Sequence, residues 1–277
     1  MEQRETTADR YALVGHPVHH SRSPLIHQLF ARQRGERLSY ELIDADVDHF
    51  ETAVRGFKAA GGKGLNVTVP HKQAAYRLAD ELGLEAQVAK AVNTLSFRNG
   101  RIRGDNTDGI GFMRDLTVNL KRQVAGKRVL LLGAGGAARG ILGPLLSAAP
   151  EVLVVANRTV ARAEALKQEF DAGQSIRVCT FDDLERLPPF DFVINATSAG
   201  LKGEQPPFPD TLVNAASFCY DLAYSLKDTP FVSWARRSGA GRVVQGWGML
   251  VEQAAESYSI WRGHRPETAA ILSKMMR

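Results

Sequence analysis

Apolar and polar positions along this chain follow two periods that predict alternating strands and helices. In the first hundred residues, short apolar runs predict strands at 11–15, 38–44 and 64–69. Amphipathic periods predict helices that start at Ser23-Pro24 and that cover 47–60, 70–82 and 84–91. Residues 95–104 alternate around Asn99-Gly100, which predicts a hairpin with a primed two-residue turn. This alternation favours an α/β fold with a mainly parallel sheet and helices on both of its faces.

The second half of the chain continues the same alternation. Further strands are predicted at VLVVA, IRVCTF, FDFVINA, SFCYDL and GRVVQG. The last segment, 248–277, has the period of one or two amphipathic helices, which we expect to return and pack on the first domain.

The most specific pattern lies between Arg128 and Thr159. The apolar run RVLLL leads into Gly133, Gly135 and Ala138, which fill a G-x-G-x-x-(G/A) pattern where a helix begins. In such a pattern the first glycine makes a tight turn and the second lets the backbone approach a pyrophosphate. The third small residue lets the helix pack on the strand. Because strand, turn, helix and second strand follow in order, the segment predicts a dinucleotide site rather than a plain glycine-rich turn.

The second strand indicates which dinucleotide binds. NAD sites usually have a carboxylate about 20 residues beyond the turn, for the ribose hydroxyls. Here the strand ends in Asn157, Arg158 and Thr159, and Arg162 follows about one helical turn after Arg158. Guanidinium and hydroxyl groups donate hydrogen bonds to a 2′-phosphate, which a carboxylate would repel. A surface arginine pair at a helix start is the alternative, but after a dinucleotide turn the pattern predicts NADP.

Length and cysteine content fit a cytoplasmic enzyme with two domains. The 277 residues are 44% hydrophobic, enough to fill two cores. We expect an N-terminal α/β substrate domain at 1–108, completed by helices at 247–277, and a Rossmann-type dinucleotide-binding domain at 109–246, with a cleft between them. Cys179 and Cys219 suit neither a metal site nor a disulfide framework, which favours a reducing cytoplasm.

Charge and hydropathy argue against other classes of protein. The charged start MEQRETTADR predicts no signal peptide, and Arg139 with several glycines in 129–149 argues against a membrane span. The net charge of +5 and the pI of about 9.3 admit nucleic acid as a partner. The basic residues are scattered, however, and small anionic ligands explain the excess equally well. We therefore predict small-molecule ligands, with no nucleic acid and no membrane, while a monomer and a homodimer both stay open.

Two residues near predicted helix starts are candidates for catalysis. If Pro70 is the first residue of a helix, Lys72 lies in the first turn, where a cation faces the positive end of the helix dipole. Residues that break a local rule tend to be functional, although a solvated lysine is the simpler explanation. Asp108 in GDNTDGIGF is the second candidate, and its simpler explanation is an N-cap for a helix that begins near Gly109.

Several motifs together resemble the shikimate dehydrogenases from about residue 11 to about residue 265. These are GHPVHHSRSPLIH (15–27), NVTVPHK (66–72), AVNTL (91–95), GDNTDGIG (104–111), GAGGAAR, NRT, NATSAG (195–200), YDLAY (220–224) and GMLVEQAA (248–255). Their order and their spread over both predicted domains match the family. The resemblance implies an enzyme that reduces 3-dehydroshikimate to shikimate with NADPH, in the biosynthesis of chorismate and the aromatic amino acids.

The resemblance also assigns roles to particular residues. Lys72 and Asp108 match the catalytic pair of the family. The substrate carboxylate would be bound by Ser21 and Ser23, and we expect Ser23 to cap its helix as well. The ring hydroxyls would be bound by Asn66, Thr68, Asn93 and Gln253, and Tyr224 would line the site near substrate and nicotinamide. The cofactor would contact Gly133, Ala134, Gly135, Gly136, Ala137, Asn157, Arg158, Thr159, Arg162, Thr197 and Gly246. No metal is implied.

Three positions depart from what the family or a regular helix would have. Lys90 stands where the family usually has a glycine before A-V-N-T, which makes Asn93 the least secure of the ring contacts. Gln245 stands before Gly246, where the family often has an acidic or amide residue, and an amide can keep a loop hydrogen bond. Pro144 lies inside a helical period, where we expect a kinked or broken helix because proline costs about 3 kcal/mol there.

Two alternatives stay open beside the main interpretation. A dehydrogenase that also accepts quinate shares the scaffold, but it often has an acidic residue after the second strand and altered serines near the start, and neither change is present. A catalytically silent NADP-binding regulator would be expected to have lost Lys72 or Asp108, and both are present.

Overall fold

The computed structural model describes residues 8–170, 176–197 and 208–276. Contacts divide the chain into two compact units. The first contains the chain up to Gly111 together with Val251–Lys274, and the second contains Phe112–Leu250 with the last residues from Met275. Each unit has its own β-sheet, and both are α/β in character as predicted.

A six-stranded mixed sheet in the order β2-β1-β3-β5-β6-β4 organises the first unit. Its strands are β1 (Asp9–Gly15), β2 (Leu38–Asp44), β3 (Gly64–Val67), β4 (Glu81–Leu82), β5 (Thr94–Arg98) and β6 (Arg101–Asp105). Its helices are α1 (Ser23–Gln33), α2 (Phe50–Ala59), α3 (Lys72–Leu78), α4 (Leu84–Ala89) and the start of α5 (Asp108–Arg114). Strand β1 pairs in parallel with β2 and β3, whereas β5 is antiparallel to β3 and β6.

The predicted hairpin explains the antiparallel part of this sheet. Strands β5 and β6 are joined by Asn99 (φ 52°) and Gly100 (φ 77°), so both turn residues have the positive φ of a primed turn. The prediction of this turn is confirmed. Strand β4 was not predicted, because its two residues fall inside the helical period at 70–82.

The second unit contains a parallel six-stranded sheet in the order β12-β11-β10-β7-β8-β9. Its strands are β7 (Arg128–Leu132), β8 (Val152–Ala156), β9 (Ile176–Cys179), β10 (Phe192–Asn195), β11 (Phe218–Asp221) and β12 (Arg242–Gln245). The helices α6 (Gly136–Ser147), α7 (Val160–Phe170) and α8 (Pro230–Arg237) connect them. Counted from β7, this is the 3-2-1-4-5-6 order of doubly wound dinucleotide-binding domains, which confirms the Rossmann-type prediction.

Three helix predictions need correction. Pro70 is not the first helical residue, because α3 begins at Lys72 and His71 is its N-cap. Ser23 is the first residue of α1 and does not cap it, since Arg22 holds the N-cap position without a side-chain bond. Instead, the Ser21 hydroxyl accepts the Ser23 N–H at 3.2 Å. Helix α6 continues past Pro144 to Ser147, so the proline does not break it.

The end of the chain forms two helices, α9 (Trp247–Arg262) and α10 (Ala269–Met275). The Trp261 ring stacks on Tyr11 of β1 with 4.5 Å between ring centroids, and its Nε1 donates to the Leu95 carbonyl of β5 at 3.1 Å. These contacts attach α9 to the first sheet. Within the described ranges, no helix combines the length and the apolar character needed to cross a membrane.

Candidate active site

An ion pair between Lys72 and Asp108 lies at the centre of the first unit's polar residues. Strand β3 leads through Thr68 to α3, which places Lys72 at its first position, and α5 begins at Asp108. The Lys72 Nζ donates to Asp108 Oδ2 at 2.5 Å, and the two side chains are only 15% and 5% exposed. Because both side chains are largely withdrawn from water and in direct contact, each restricts the position of the other.

Asn106 holds the backbone at the first residue of α5, Asp108. The Asn106 Oδ1 accepts the Asp108 N–H at 3.0 Å, and the Asn106 Nδ2 donates to the Ala91 carbonyl at 2.9 Å. The alternative interpretation of Asp108 as an N-cap is wrong, because α5 begins at Asp108 itself. Both of its carboxylate oxygens bind side chains instead, Lys72 on one and Asn93 on the other.

Asn93 connects the ion pair to α9. Its Nδ2 donates at 2.9 Å to Asp108 Oδ1 and to Thr107 Oγ1, and at 3.4 Å to Gln253 Oε1. Its Oδ1 accepts from the Thr107 N–H and the Thr94 hydroxyl, both at 2.9 Å. An amide has two N–H groups and two acceptor lone pairs, so the protein already fills most of the capacity of Asn93.

Asn66 of β3 belongs to the same hydrogen-bond network. Its Oδ1 accepts from the Tyr40 hydroxyl at 2.7 Å, and its Nδ2 donates to Ser257 Oγ at 2.9 Å and to Thr94 Oγ1 at 3.2 Å. Ser257 is completely buried on α9, where its hydroxyl also contacts Thr94 at 2.7 Å. Neither Tyr40 nor Ser257 was predicted. The sequence gives one signal for Ser257. It lies four residues after Gln253, a spacing that places the two residues on one face of a helix.

The two predicted serines form a pair at the start of α1. The Ser21 hydroxyl donates to Ser23 Oγ at 3.2 Å, Ser21 is half-buried and Ser23 is buried. Burial raises the pKa of Tyr40 well above its usual value, opposed by a hydrogen bond with the Ser23 side chain. Thr68, the remaining predicted contact in this unit, is half-buried directly after β3.

A fully buried histidine lies beneath these residues. His27 of α1 stacks on Tyr40 with 4.4 Å between ring centroids, and Trp261 and Phe30 lie at 5.4 and 5.8 Å. Neither of its ring nitrogens has a hydrogen-bond partner in the part of the chain that the structure describes. Burial lowers the pKa of His27 to about 3, so the ring is neutral at physiological pH.

The glycine turn in the second unit has the backbone that a pyrophosphate requires. Gly133 has φ +104°, a conformation that side chains rarely adopt, and a Cβ there would lie 2.9 Å from the Ala196 carbonyl oxygen. Gly135 is the N-cap of α6, and a Cβ there would meet nothing within 4 Å. Ala134, Gly136 and Ala137 complete the turn, and the first turn of α6 has no acidic residue. A diphosphate therefore meets open space and N–H groups here.

The end of β8 carries the residues predicted for the 2′-phosphate. Arg158, Thr159 and Arg162 are exposed, whereas Asn157 is half-buried and its Nδ2 donates to the Thr159 carbonyl at 2.8 Å. No carboxylate follows this strand directly, since Ala156 leads into Asn157. The group therefore fits a phosphate better than a ribose hydroxyl pair.

Three further predicted residues lie at the ends of β10 to β12. The Asn195 Oδ1 accepts from the Thr197 hydroxyl at 2.7 Å, and the Asn195 Nδ2 donates to buried Asp221 at 2.9 Å. A Cβ on Gly246 would lie 2.4 Å from the Leu222 carbonyl oxygen, so this position requires glycine. The half-buried ring of Tyr224 packs on Trp247 at 4.7 Å. Residues 198–200 of the NATSAG motif lie outside the described residues.

The structure describes the surroundings of two of the departures, Lys90 and Gln245. Lys90 adopts the left-handed conformation (φ 46°, ψ 37°), which glycine adopts without the steric cost of a Cβ. The predicted loop bond of Gln245 is present, since its Oε1 accepts the Ser225 N–H at 2.6 Å and its Nε2 donates to the Lys227 carbonyl at 3.2 Å.

Cysteine and metal chemistry have no support in the described ranges. Cys179 and Cys219 are not disulfide-bonded, and burial raises their pKa values to about 11 and about 12, so both are thiols near neutral pH. No group of three or more potential metal ligands occurs among the described residues.

Comparison with known families gives the same match in three parts of the chain. Residues 13–95 match the shikimate dehydrogenase substrate binding domain, and residues 115–202 match shikimate / quinate 5-dehydrogenase. Residues 246–276 match the shikimate 5′-dehydrogenase C-terminal domain.

Individual proteins resemble the chain over nearly its whole length. The NADP(+) shikimate dehydrogenase of Alkalilimnicola ehrlichii is 54% identical over 96% of this chain and 98% of its own. The crystal structure of an Ael1 enzyme from Pseudomonas putida superposes with a TM-score of 0.89 at 47% identity, covering 98% of this chain and 99% of that one. The crystal structure of shikimate 5-dehydrogenase from Thermus thermophilus, in complex with NADP(H) and shikimate, superposes with a TM-score of 0.85 at 33% identity. It covers 96% of this chain and 97% of that one.

Proposed function

The chain belongs to the shikimate dehydrogenase family, and from this membership we propose that Lys72 and Asp108 form the catalytic pair of its reaction. The protein is an NADP-dependent oxidoreductase that interconverts 3-dehydroshikimate and shikimate, a step of aromatic amino acid biosynthesis. The observation that carries the catalytic assignment is the contact of 2.5 Å between Lys72 Nζ and Asp108 Oδ2.

In this proposal Lys72 handles charge and proton. The bound cofactor supplies the hydride. As negative charge develops on the substrate carbonyl oxygen, the Lys72 ammonium stabilises it and donates the proton that completes the alcohol. In the reverse direction the neutral amine takes that proton back. Asp108 fixes the position of Lys72, and its second oxygen is itself fixed by Asn93.

The ring hydroxyls are assigned to Asn66, Thr68, Asn93 and Gln253. The Asn66 Oδ1 has one strong donor, Tyr40, so its second lone pair can accept from a substrate hydroxyl. Asn93 has less capacity, and the bond that a substrate hydroxyl replaces most easily is the long one to Gln253 at 3.4 Å. The substrate carboxylate is assigned to the Ser21 and Ser23 hydroxyls, which lie 3.2 Å apart and can donate together.

We assign the cofactor phosphates to the second unit. The diphosphate lies on the turn Gly133-Ala134-Gly135-Gly136-Ala137, and the 2′-phosphate binds Arg158 with Thr159, Arg162 and Asn157. Thr197 and Gly246 line the same edge of the sheet, and Tyr224 is assigned to the nicotinamide end. Two features support this assignment, the open space at Gly135 and the absence of a carboxylate directly after β8.

A dual activity on quinate is the second candidate within the same scaffold, because one of the matched families includes quinate dehydrogenases. The serine pair and the residues after β8 favour shikimate with NADP. Assays of the purified protein with shikimate and with quinate, each with NADP⁺ and NAD⁺, rank the four combinations. We further propose a cytoplasmic enzyme whose partners are small molecules, and light scattering distinguishes monomer from dimer.

The substitution Lys72→Ala tests the proposed chemistry. We expect kcat to fall by a factor of roughly 10² to 10⁴, because proton donation and charge stabilisation are lost, while KM for shikimate stays within a few-fold. Steady-state kinetics with shikimate and NADP⁺ measure both constants. Lys63→Ala, at an exposed lysine of the same unit, is the matched control and should leave kcat unchanged. Near-normal turnover in Lys72→Ala would refute the assignment.

A further inference from the structure

A basic groove lies at the edge of the second sheet opposite the glycine turn. It has a volume of about 680 Å³, and its lining includes the residues where β10, β11 and β12 begin and the residue before β7. The glycine turn follows the other end of β7, roughly 15 Å away for a strand of this length. The groove shares no residue with the proposed cofactor site.

Four cations converge on this groove. Lys121, Arg122, Lys127 and Arg242 line it, and all four are exposed. The single carboxylate in the lining is Asp191, and its Oδ2 accepts the backbone N–H of Arg128 at 2.8 Å. The described lining of the groove therefore carries an excess of positive charge.

In the part of the chain that the structure describes, the groove cations have no carboxylate partner, whereas several other exposed basic residues do. Arg10 pairs with Glu41 at 2.8 Å, and Arg55 pairs with Glu51 at 2.7 Å. Within the described residues, none of the four groove cations forms an ion pair. Their mutual repulsion is uncompensated, and a bound anion would relieve it.

The two arginines are held in place by one aromatic ring. The guanidinium carbons of Arg122 and Arg242 lie 5.5 and 5.9 Å from the centroid of the Phe218 ring. Cation–π contacts at this range restrict both side chains without neutralising their charge. Two planar sets of donors are therefore pre-positioned beside the two lysines, which favours an anion that can bind several of them at once.

We propose that this groove binds a small multivalent anion of the diphosphate or tricarboxylate class. The volume is typical of small-molecule sites, and four cations suit a ligand with several negative charges. A nucleic acid would need a longer basic track to follow its backbone. The ligand would act at a place separate from the dehydrogenase chemistry.

Titration calorimetry on the full-length protein tests the proposal. Saturating NADP⁺ fills the cofactor site, and pyrophosphate or citrate is then titrated in separate experiments at low ionic strength without divalent metal. The double substitution Arg122→Gln/Arg242→Gln should weaken binding at least ten-fold. The control Arg55→Gln/Arg236→Gln removes two exposed arginines that pair with Glu51 and Asp228, and it should bind as the unaltered protein does.

The outcomes distinguish a diphosphate ligand from a tricarboxylate ligand, and both from nucleic acid. Binding of pyrophosphate alone, of citrate alone or of both supports the groove and identifies the ligand chemistry, provided that only the groove substitution weakens it. Should the first double variant not fold, Lys121→Gln/Lys127→Gln replaces it, since both lysines are exposed. Equal weakening in groove and control variants, or no binding of either anion at millimolar concentration, overturns the proposal. A short DNA duplex that displaces pyrophosphate and depends on the groove arginines also overturns it, in favour of nucleic acid.

Discussion

Individual polar side chains in the first unit hold one another through reciprocal hydrogen bonds. Asn93 binds Asp108, Thr107 and Thr94, and buried Ser257 joins this group to Asn66. Removing one member leaves a buried donor or acceptor unsatisfied, which costs about 1–3 kcal/mol. The proposed substrate contacts are therefore oriented before any ligand binds, which lowers the entropic cost of positioning it.

Lys90 illustrates how one residue can carry local strain. Its left-handed backbone (φ 46°) is unfavourable for any side chain with a Cβ, and the side chain is exposed. We expect Lys90→Gly to raise the free energy of unfolding by about 0.5–1 kcal/mol, because relief of strain exceeds the added freedom of the unfolded chain. Urea denaturation followed by circular dichroism measures the change. Lys90→Ala keeps the strain, and a gain as large as that of the glycine variant would exclude this explanation.

His27 makes stability depend on pH. Its folded pKa of about 3 lies below the unfolded value of about 6.5, so in mild acid the unfolded chain binds a proton that the folded protein does not. Stability from this residue is complete above pH 6.5 and is lost as the pH falls toward 3. Between pH 7 and pH 5 the loss is about 2 kcal/mol.

The substitution His27→Phe keeps a ring in this aromatic pocket and removes the titrating group. We expect the variant to lose about 2 kcal/mol less between pH 7 and pH 5 than the unaltered protein, whatever its stability at pH 7. Chemical denaturation at the two pH values gives this difference directly. Identical pH dependence in both proteins would mean that His27 is protonated while the protein is folded.

At the scale of elements, the glycine turn and the end of β8 act as one unit of recognition. The turn leaves N–H groups and open space for a diphosphate, and β8 runs beside β7 in parallel, so both strands end at the same edge of the sheet. Different residues therefore bind the 2′-phosphate and the diphosphate. A substitution can weaken binding of the 2′-phosphate while binding of the diphosphate is kept.

Arg158→Gln tests this separation. We expect kcat/KM with NADPH to fall roughly 10- to 100-fold, because a hydrogen bond to a charged group contributes about 1.5–3 kcal/mol. The value with NADH should change little, since NADH has no 2′-phosphate. Arg186→Gln, at another exposed arginine of the second unit, serves as the control. An equal loss with both cofactors would show that Arg158 acts on the fold or the diphosphate instead.

At the scale of the whole molecule, the end of the chain helps to complete the unit that its beginning forms. Trp261 of α9 stacks on Tyr11 and binds the Leu95 carbonyl, although it lies far from both in sequence. We expect Trp261→Ala to cost about 3–5 kcal/mol and to raise amide exchange in β1 and β5 more than in β7 and β10. Hydrogen-exchange mass spectrometry measures both regions.

Trp234 provides the reciprocal control because it is buried in the core of the second unit. Trp234→Ala should raise exchange in β10 and β11 and leave β1 and β5 closer to normal. A uniform rise in exchange after either substitution would mean that the two units unfold as one.

The sequence by itself determined most of the elements, the hairpin turn, the glycine turn and the cofactor class. Each of these depends on a few neighbouring residues: period for the strands, positive φ at Asn99-Gly100 and Gly133, and the charge of Arg158 after β8. Family resemblance, rather than spacing, supplied the roles of Lys72 and Asp108. Local patterns left Asp108 open between an N-cap and a catalytic role, because aspartate suits the N-cap position by residue type.

Only the tertiary structure decided which distant side chains meet. Lys72, Asn93, Asp108 and Ser257 come from four separate segments of the chain, and strand register with helix packing sets the distances between them. The basic groove likewise collects Lys121, Arg122, Lys127 and Arg242 from two distant segments. The sequence does not show which charged residues lie near one another, since electrostatic effects depend on distances that the fold alone fixes.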